Sequence, residues 1–401
     1  MKKVPYIIGL LLVMSFRSGA QEARTMDYRR SSIYSILLNH TNQQFSKEIG
    51  EVFLKMPVPD KYNDHDLSVK VISTPQKQAG EGDITVFVDR NGIASRLVAR
   101  WFDRDYQTGV CTTRLIKERG LYDASEFDKE LANRSVRGKA MLEDAGEELI
   151  GNTFVLVNDI KYVDKAKRSQ NVGAGLRILG AVAAAYTNQS AFNDLGNSIG
   201  DIAETLKGFR VIIDTHLYRL VWDEETAMTF YMEYYSERPD AGKKEAFENN
   251  RNKFRLQYVG SQRSKGSNTS FLGVNLDEPE QMIRKACQRA LDENVAALQR
   301  NYEEFKVKTP LVNTEPIRAE IGLKEGITPE SKFEVLEAVQ DKDQRIVYKR
   351  VGVIKPLENQ IWDNRYMAEE EGAYGADFGH TTFKKVSGGD FYAGMLIREI
   401  K

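Results

Sequence analysis

The amino-acid sequence predicts an α+β protein, in which mixed α/β domains are followed by a small C-terminal β-barrel. Three observations support this fold class. Up to about residue 309, short alternating runs typical of strands are mixed with apolar residues at helical spacing. A segment rich in Gly and Ala, residues 171–208, interrupts this pattern and predicts an inserted helical hairpin. From residue 310 onward, short β-like runs alternate with turns, as in small barrels.

Residues 1–20 have the features of a signal peptide. Lys2 and Lys3 precede an apolar run over residues 4–14, and Ser18-Gly19-Ala20 supplies small residues for cleavage. The apolar run is much shorter than the roughly 20 residues that a membrane-spanning helix needs. We therefore expect an exported protein with no transmembrane span after cleavage. Its expected location is the periplasm, the outer-membrane surface or the extracellular space.

The composition is that of a globular protein that does not bind nucleic acid. Charged residues make up 29% of the chain and hydrophobic residues 41%. Signal cleavage would remove three cations and no acids, so the formal net charge would change from −1 to −4. Nucleic-acid binding needs a basic surface instead. The remaining length suggests two or three domains, which we place at residues 21–150, 151–309 and 310–401.

In the first domain the sequence predicts a helix over about residues 31–56, ended by the prolines of MPVPDKYNDHD. The alternating runs LSVKVIS and DITVFVD predict strands. GIASRLVARWF then predicts a short amphipathic helix. A longer helix is predicted for SEFDKELANRSVRGKAMLEDAGEELIG, which Gly151 is suited to end.

The second domain is predicted to contain one sheet. NTFVLVNDIKYV, FRVIIDTHLYRLVW and TAMTFYMEYY predict three strands, the last two joined by a turn at Asp223–Glu225. The hairpin of residues 171–208 lies between the first two strands. KFRLQYVG predicts a further strand, and a long helix follows over about residues 277–305, with Pro279 in its first turn.

The third domain is predicted to be a small closed barrel. KFEVLEAV, RIVYKRVGVI, TTFKKV and FYAGMLIREI read as its strands. The acidic segment AEEEGAYGADFG between two of them predicts an exposed loop with Glu369–Glu371 in solvent.

Two parts of the chain resemble known envelope proteins. GITPESKFEVLE, VYKRVGVIKP, WDNR and FKKVSGGDFYAGMLIRE look like the SH3-like barrels that close Gram-negative envelope accessory proteins such as flagellar assembly protein T. RGKAMLEDAGEELIGNTFVLVND is similar to the domain shared by the TolB N-terminus and curli assembly protein G. The whole chain also resembles uncharacterised exported proteins of the Bacteroidota. These resemblances imply assembly or scaffolding in the periplasm, and they assign no functional residue.

The inserted hairpin is the first candidate for an interaction surface. Its GAGLRILG lacks the GxGxxG spacing after a strand, and no Walker lysine follows, so a nucleotide site is not predicted. Gly180 and Ala184, like Gly196 and Gly200, are four residues apart, and small residues at this spacing let helices approach closely. We expect the hairpin to dock on the sheet or to contact another subunit.

Aromatic residues form the second candidate. In the predicted strand TFYMEYY, Tyr231 and Tyr235 share one face, and Trp222 and Tyr218 lie close in sequence. Rings with polar tips are typical of partner-binding surfaces. The alternative is a sheet that helices cover on both faces.

The residue types of common active sites are sparse. Asp214 and His216 would share a strand face, which suits either two ligands of a metal or a surface ion pair. Asp64–Asp66, with His65, would suit a metal loop or an ordinary polar loop. GxSxG, HExxH and SxxK motifs do not occur. We therefore predict no catalytic residue, no metal and no cofactor.

The two cysteines leave one structural choice open. Cys287 lies on the apolar stripe of the long predicted helix, which favours core packing, and Cys111 lies in a short mixed segment. A single bridge between them is the alternative, and the spacing excludes a CxxC redox site.

The sequence predicts a non-enzymatic exported cell-envelope protein with a binding, assembly or scaffolding role. Its expected partners are envelope proteins or further copies of itself. The alternative is a periplasmic or secreted hydrolase that acts on cell-wall or polysaccharide material through dispersed carboxylates, since paired acids leave no short motif.

Overall fold

The computed structural model describes residues 31–59, 62–64, 67, 70–74, 81–122, 146–147, 149–163, 209–267, 279–340 and 346–400. The predicted signal peptide, the hairpin of residues 171–208 and most of the helix predicted for residues 125–151 lie outside these residues. Within them the predicted α+β class is confirmed. They form seven α-helices, a mixed six-stranded sheet and a closed six-stranded barrel.

The large sheet contains the first six strands in the order β2-β1-β4-β5-β6, and β3 also pairs with β1. These strands are β1 Ser32–His40, β2 Asn63–Asp64, β3 Val71–Thr74, β4 Thr153–Tyr162, β5 Arg210–Leu220 and β6 Leu256–Ser267. Strand β1 is parallel to β2, β3 and β4, whereas β5 and β6 are antiparallel to their neighbours. One sheet therefore joins strands from both sides of residue 150. As predicted, the chain that contains residues 171–208 connects two neighbouring strands.

Helices cover both faces of this sheet. They are α1 Ser46–Leu54, α2 Glu81–Arg90, α3 Ile93–Trp101, α4 Arg114–Tyr122, α5 Glu224–Glu233, α6 Ala241–Asn249 and α7 Pro279–Asn301. Helices α1 and α7 pack on one face. Helices α2 to α6 pack on the other. Strand β1 is buried on both faces, and it contributes Ile33, Tyr34, Ile36, Leu37 and Leu38 to the core.

The helix predicted over residues 31–56 is wrong in its first half, which forms β1. Ile33 and Ile36 are three residues apart, as on a helix, but they face opposite sides of the sheet. A short apolar run has no periodicity that separates a doubly buried strand from a helix. The second half is helical over α1, and Phe45, with φ 58°, begins that helix in a left-handed conformation.

The strand predicted for DITVFVD is also wrong, since these residues lie in α2. Ile84 and Val88, four residues apart, are buried against the sheet, and Val86 is exposed. Tertiary packing of that pair outweighs the β propensity of the valines and isoleucine. The helix predicted for GIASRLVARWF is confirmed as α3.

The second wrongly predicted strand is TAMTFYMEYY, which forms α5 and the residues after it. Asp223 is the N-cap, and its carboxylate accepts a hydrogen bond from the backbone N–H of Thr226 at 2.8 Å. Glu224 and Glu225 lie in the first turn, where the helix dipole favours acids. The expected turn at Asp223–Glu225 is thus a helix start, and α5 and α6 form a helical connection between β5 and β6.

Helix α7 confirms the predicted long helix and its Pro279 start, and it lies directly on β6. The Ser264 hydroxyl donates a hydrogen bond to the Ala290 carbonyl oxygen at 2.8 Å. At Gly266 the backbones approach so closely that an added Cβ would lie 2.0 Å from the Ala286 carbonyl oxygen. The small residue at this position therefore sets the distance between helix and sheet.

The predicted barrel is confirmed as β7 Thr309–Thr314, β8 Ile317–Ala319, β9 Lys332–Gln340, β10 Ile346–Pro356, β11 Thr381–Gly388 and β12 Leu396–Ile400. Its strands close in the order β10-β11-β8-β7-β12-β9 around an apolar core. Between β10 and β11, Glu369 and Glu370 are exposed as expected. Glu371 is not, because it forms ion pairs with Lys285 and Arg289 of α7. The acidic loop thus attaches the barrel to the helix.

Candidate functional site

The order β3-β1-β4 creates a topological switch point between β1 and β4. The connection from β1 to β3 passes through α1 on one face, and the connection from β3 to β4 passes through α2, α3 and α4 on the other. In open α/β sheets, ligands bind outside the carboxyl ends of the strands at such a point. His40 at the end of β1 and Asp159 near the end of β4 lie there.

A chain of ionisable side chains in contact begins with this pair. His40 Nε2 lies 2.5 Å from Asp159 Oδ1, and both side chains are buried. The second Asp159 oxygen lies 2.8 Å from Lys161 Nζ, which lies 3.3 Å from Asp214. Arg263 of β6 then holds Asp214. We call these five residues the ionic chain. It crosses three strand boundaries on one face of the sheet.

The ionic chain is neutralised internally. Partial burial raises the pKa of Asp214, but the hydrogen bonds and charges of Arg263 and Lys161 outweigh burial, so this pKa lies below its usual value. The same contact raises the pKa of the Arg263 guanidinium. The Asp214 carboxylate therefore faces two cations, Lys161 and Arg263. Asp214 stays ionised and is unsuited to the role of a general acid, which needs a raised pKa.

Of the two interpretations left open for Asp214 and His216, a pair of metal ligands is not supported by this arrangement. Asp214 and His216 do share a face of β5, but Lys161 and Arg263 already occupy the Asp214 carboxylate. In the part of the chain that the structure describes, no group of three or more His, Cys, Asp or Glu side chains is placed to hold a metal. Of Asp64–Asp66, only Asp64 belongs to that part.

The four small residues proposed for an interaction surface, Gly180, Ala184, Gly196 and Gly200, lie outside the described residues. Tyr231 and Tyr235 lie at the C-terminal end of α5 and pack edge-on against Phe102, with ring centroids 5.6 and 5.9 Å away. Burial raises the pKa of Tyr235 to about 12, with a contribution from Glu237, whose carboxylate accepts a hydrogen bond from the phenol O–H at 2.9 Å. Both tyrosines are half-buried, so only part of each ring is exposed to a partner.

Two methionines of α5 are exposed to solvent, together with Glu224, Glu225 and Glu233 of the same helix. Met228 is 56% exposed and Met232 is 70% exposed, and their spacing of four places them one turn apart on one side of the helix. We call this pair, with the exposed edges of Tyr231 and Tyr235, the α5 surface. Sequence analysis identified the tyrosines but missed the methionines, because a strand would have placed Met232 with Phe230 on the opposite face.

A cluster of eight rings holds α5 in place. The rings are those of Phe102, Trp222, Phe230, Tyr231, Tyr234, Tyr235, Phe247 and Phe254, in contact at 4.2–6.4 Å between centroids. Arg104 closes the cluster, since its guanidinium lies 4.3 Å above the Phe247 ring and pairs with Glu248. The exposed methionines therefore lie on a helix that is held in place by this ring cluster.

The cysteines form no bridge. Cys111 and Cys287 are free and fully buried, and they belong to core clusters on opposite faces of the large sheet. Burial raises the pKa of the Cys287 thiol to about 12, so it is an inert core residue, as the sequence suggested.

Comparisons with known proteins add no functional assignment. No helix within the described ranges has the length and apolar character to cross a membrane. No protein-family model matches the chain, and a search of curated proteins finds no match to it.

Proposed function

We propose that this protein is a non-enzymatic exported protein of the cell envelope that binds or assembles partner proteins through the α5 surface. The observation that carries the proposal is the exposure of Met228 and Met232 on a helix fixed by eight rings. Methionine adapts its shape to apolar partners, and Met and Tyr are enriched at interface cores. Because the ring cluster already holds α5 in place, binding a partner would cost less conformational entropy.

Charge placement favours binding over hydrolysis. A glycosidase needs one carboxylic acid with a raised pKa facing a second carboxylate. On the sheet, Lys161 lies between the carboxylates of Asp159 and Asp214 and pairs with both. The pKa of Asp214 is lowered, not raised. The ionic chain is thus better suited to hold β1, β4, β5 and β6 together than to act on a polysaccharide.

Site-specific photocrosslinking in the envelope of the source organism tests the binding role. A benzophenone amino acid would replace Met228 or Met232 in one set of cells and the exposed Lys349 of the barrel in the control set. We expect one shared adduct from the two α5 positions and none from position 349. Met228→Glu should abolish the adduct formed at position 232. If neither α5 position gives an adduct in cells that contain the folded protein, the proposal is wrong.

Export is tested separately. N-terminal sequencing of the protein from a periplasmic extract should give a chain that begins at Gln21. A chain that keeps residues 1–20 and remains in the cytoplasmic fraction would contradict the envelope location while leaving the α5 surface open to test.

A further inference from the structure

A pocket of about 390 Å³, which we call the junction pocket, lies where α7, the link to β7 and one end of the barrel meet. Its apolar wall consists of barrel core residues: Ile321, Ile327, Phe333 and Ile397 are all less than 10% exposed. The mouth carries polar residues, among them the exposed Thr328. The pocket therefore combines apolar inner residues, which we call its floor, with polar residues at its mouth, which we call its rim. This is the usual composition of a binding site.

One cation in the pocket wall has no carboxylate partner in the described part of the chain. Arg300 at the end of α7 donates two hydrogen bonds from Nη1, to the carbonyl oxygens of Glu325 and Gly326, each at 3.3 Å. Carbonyl groups orient a guanidinium but do not neutralise it. The other two cations of the pocket are already paired: Arg398 with Glu303 and Glu334, and Lys306 with Glu303.

Gly326 allows Arg300 to take this position. Its φ is +76°, and an added Cβ would lie within 1.8 Å of Arg300 Nη1. Only glycine combines this left-handed backbone with this close approach. The guanidinium is thus held at the rim by the turn after Leu323–Glu325, with its remaining N–H groups available to a ligand.

The same pocket contains part of a strand edge that has no paired strand among the described residues. Strand β12 pairs with β9 over all of Leu396–Ile400, but its register with β7 covers only Leu396 and Ile397. The last three residues of β12 line the pocket. Along residues 398–400, the side toward β7 has no strand partner among the described residues. An extended main chain can add to such an edge.

We propose that this pocket binds an extended peptide segment that pairs with residues 398–400 of β12. An apolar side chain of the peptide contacts the floor at Ile327 and Phe333, and a carboxylate, from an acidic side chain or from the chain end, pairs with Arg300. One extended peptide can contact all three features, because they lie in one pocket and fit main chain, apolar group and anion respectively. This inference does not depend on the α5 surface.

Selection of peptides that bind the full mature chain tests this proposal. A library of random hexapeptides with free carboxyl ends is selected on the wild-type protein, and the enriched peptides are titrated by fluorescence anisotropy. We expect peptides with an apolar residue near an acidic residue or near the chain end. Arg300→Gln should weaken their binding about tenfold or more, since a charge-assisted pair is lost. Arg300→Lys should keep part of the affinity.

Two further variants separate the pocket from other surfaces. Thr328→Trp fills the mouth from an exposed position and should abolish binding, whereas Arg350→Gln removes an exposed arginine outside the pocket and should leave it unchanged. Circular dichroism melts verify that each variant is folded. The inference is wrong if no peptide is enriched, or if the enriched peptides bind Thr328→Trp as tightly as wild type. Either result leaves the crosslinking test of α5 unaffected.

Discussion

Asp214 accepts two hydrogen bonds from the guanidinium of Arg263, from Nε to Oδ1 at 2.5 Å and from Nη2 to Oδ2 at 2.9 Å. The two residues face each other across β5 and β6. A bidentate pair of this kind is directional and strong, because two parallel bonds join planar groups. The pair of Asp214 and Arg263 is one end of the ionic chain, and the buried His40 is the other end.

The lowered pKa of Asp214 predicts how stability depends on pH. The folded pKa lies below the unfolded value of about 3.9. Its contribution to the free energy of unfolding is therefore complete above that value, and it is lost as pH falls through the folded pKa. Asp214→Asn should lower the free energy of unfolding by about 2 kcal/mol at pH 7, because two cations lose a counter-charge. The difference from wild type should shrink below about pH 4.

Urea unfolding of both proteins between pH 3 and pH 7 measures this difference. Asp377→Asn is the matched control, because Asp377 is an exposed residue of the barrel. We expect its effect to stay within about 0.5 kcal/mol at every pH. A wild-type minus Asp214→Asn difference that is constant down to pH 3 would contradict the role assigned to Arg263 and Lys161.

The buried pair of His40 and Asp159 should be strongly coupled. We expect a double-mutant cycle of His40→Asn and Asp159→Asn to give a coupling energy of about 1–3 kcal/mol, since neither side chain has water to replace its partner. The exposed pair Lys47 and Glu51 of α1 serves as control and should give less than about 0.5 kcal/mol. Equal coupling energies in the two cycles would show that the switch point is not held by this contact.

Glu371 should control the attachment of the barrel loop to α7. It faces Lys285 and Arg289, and Arg289 also donates hydrogen bonds to the Tyr366 carbonyl oxygen at 2.8 and 3.1 Å. Burial lowers the pKa of Lys285, and the charge of Arg289 lowers it further. Glu371→Gln would remove the carboxylate that pairs with two partly buried cations, so we expect a loss of about 2–3 kcal/mol. Lys285→Met leaves the pair with Arg289 intact and should cost less.

Hydrogen exchange of residues 362–374 reports this attachment directly. In Glu371→Gln the amides of this segment should exchange at least tenfold faster than in wild type, because the loop opens without global unfolding. Glu370→Gln changes the adjacent exposed acid and should leave exchange unchanged. If both variants exchange alike, Glu371 does not hold the loop.

Sequence periodicity was sufficient to predict the elements that have one buried and one exposed side. Strand β5, helices α3 and α7 and the barrel were predictable from alternation or helical spacing. Strands β1 and β4 are both buried on two faces, so no polar side marks their period. The run of β4 was still predicted as a strand, whereas Ile33, Ile36 and Leu37 of β1 also match helical spacing, and β1 was therefore predicted as a helix. Helix α5 carries a local signal in Asp223 and Thr226, but its aromatic residues have strand propensity, and that propensity dominated the prediction.

The ionic chain and the junction pocket lay beyond sequence reasoning for a different reason. His40 and Asp159 are 119 residues apart, and Asp214 and Arg263 are 49 apart. Strand order alone brings them together, and no spacing in the sequence encodes that order. Arg300 and the free edge of β12 likewise become one site only once the barrel end has docked on α7.

The close contact of β6 with α7 gives the last prediction. An Ala side chain at position 266 would place Cβ 2.0 Å from the Ala286 carbonyl oxygen, which is backbone and cannot rotate away. Gly266→Ala must therefore push α7 off the sheet, and we expect a loss of about 2–3 kcal/mol in the free energy of unfolding. Gly389→Ala is the matched control, since no atom lies within 4 Å of its added Cβ. That variant should stay within about 0.5 kcal/mol of wild type. Because α7 also carries Lys285, Arg289 and Arg300, the shift should weaken peptide binding in the junction pocket as well. A Gly266→Ala protein as stable as the control would mean that the helix can move along β6 without cost, and the barrel would then lack a fixed position on the sheet.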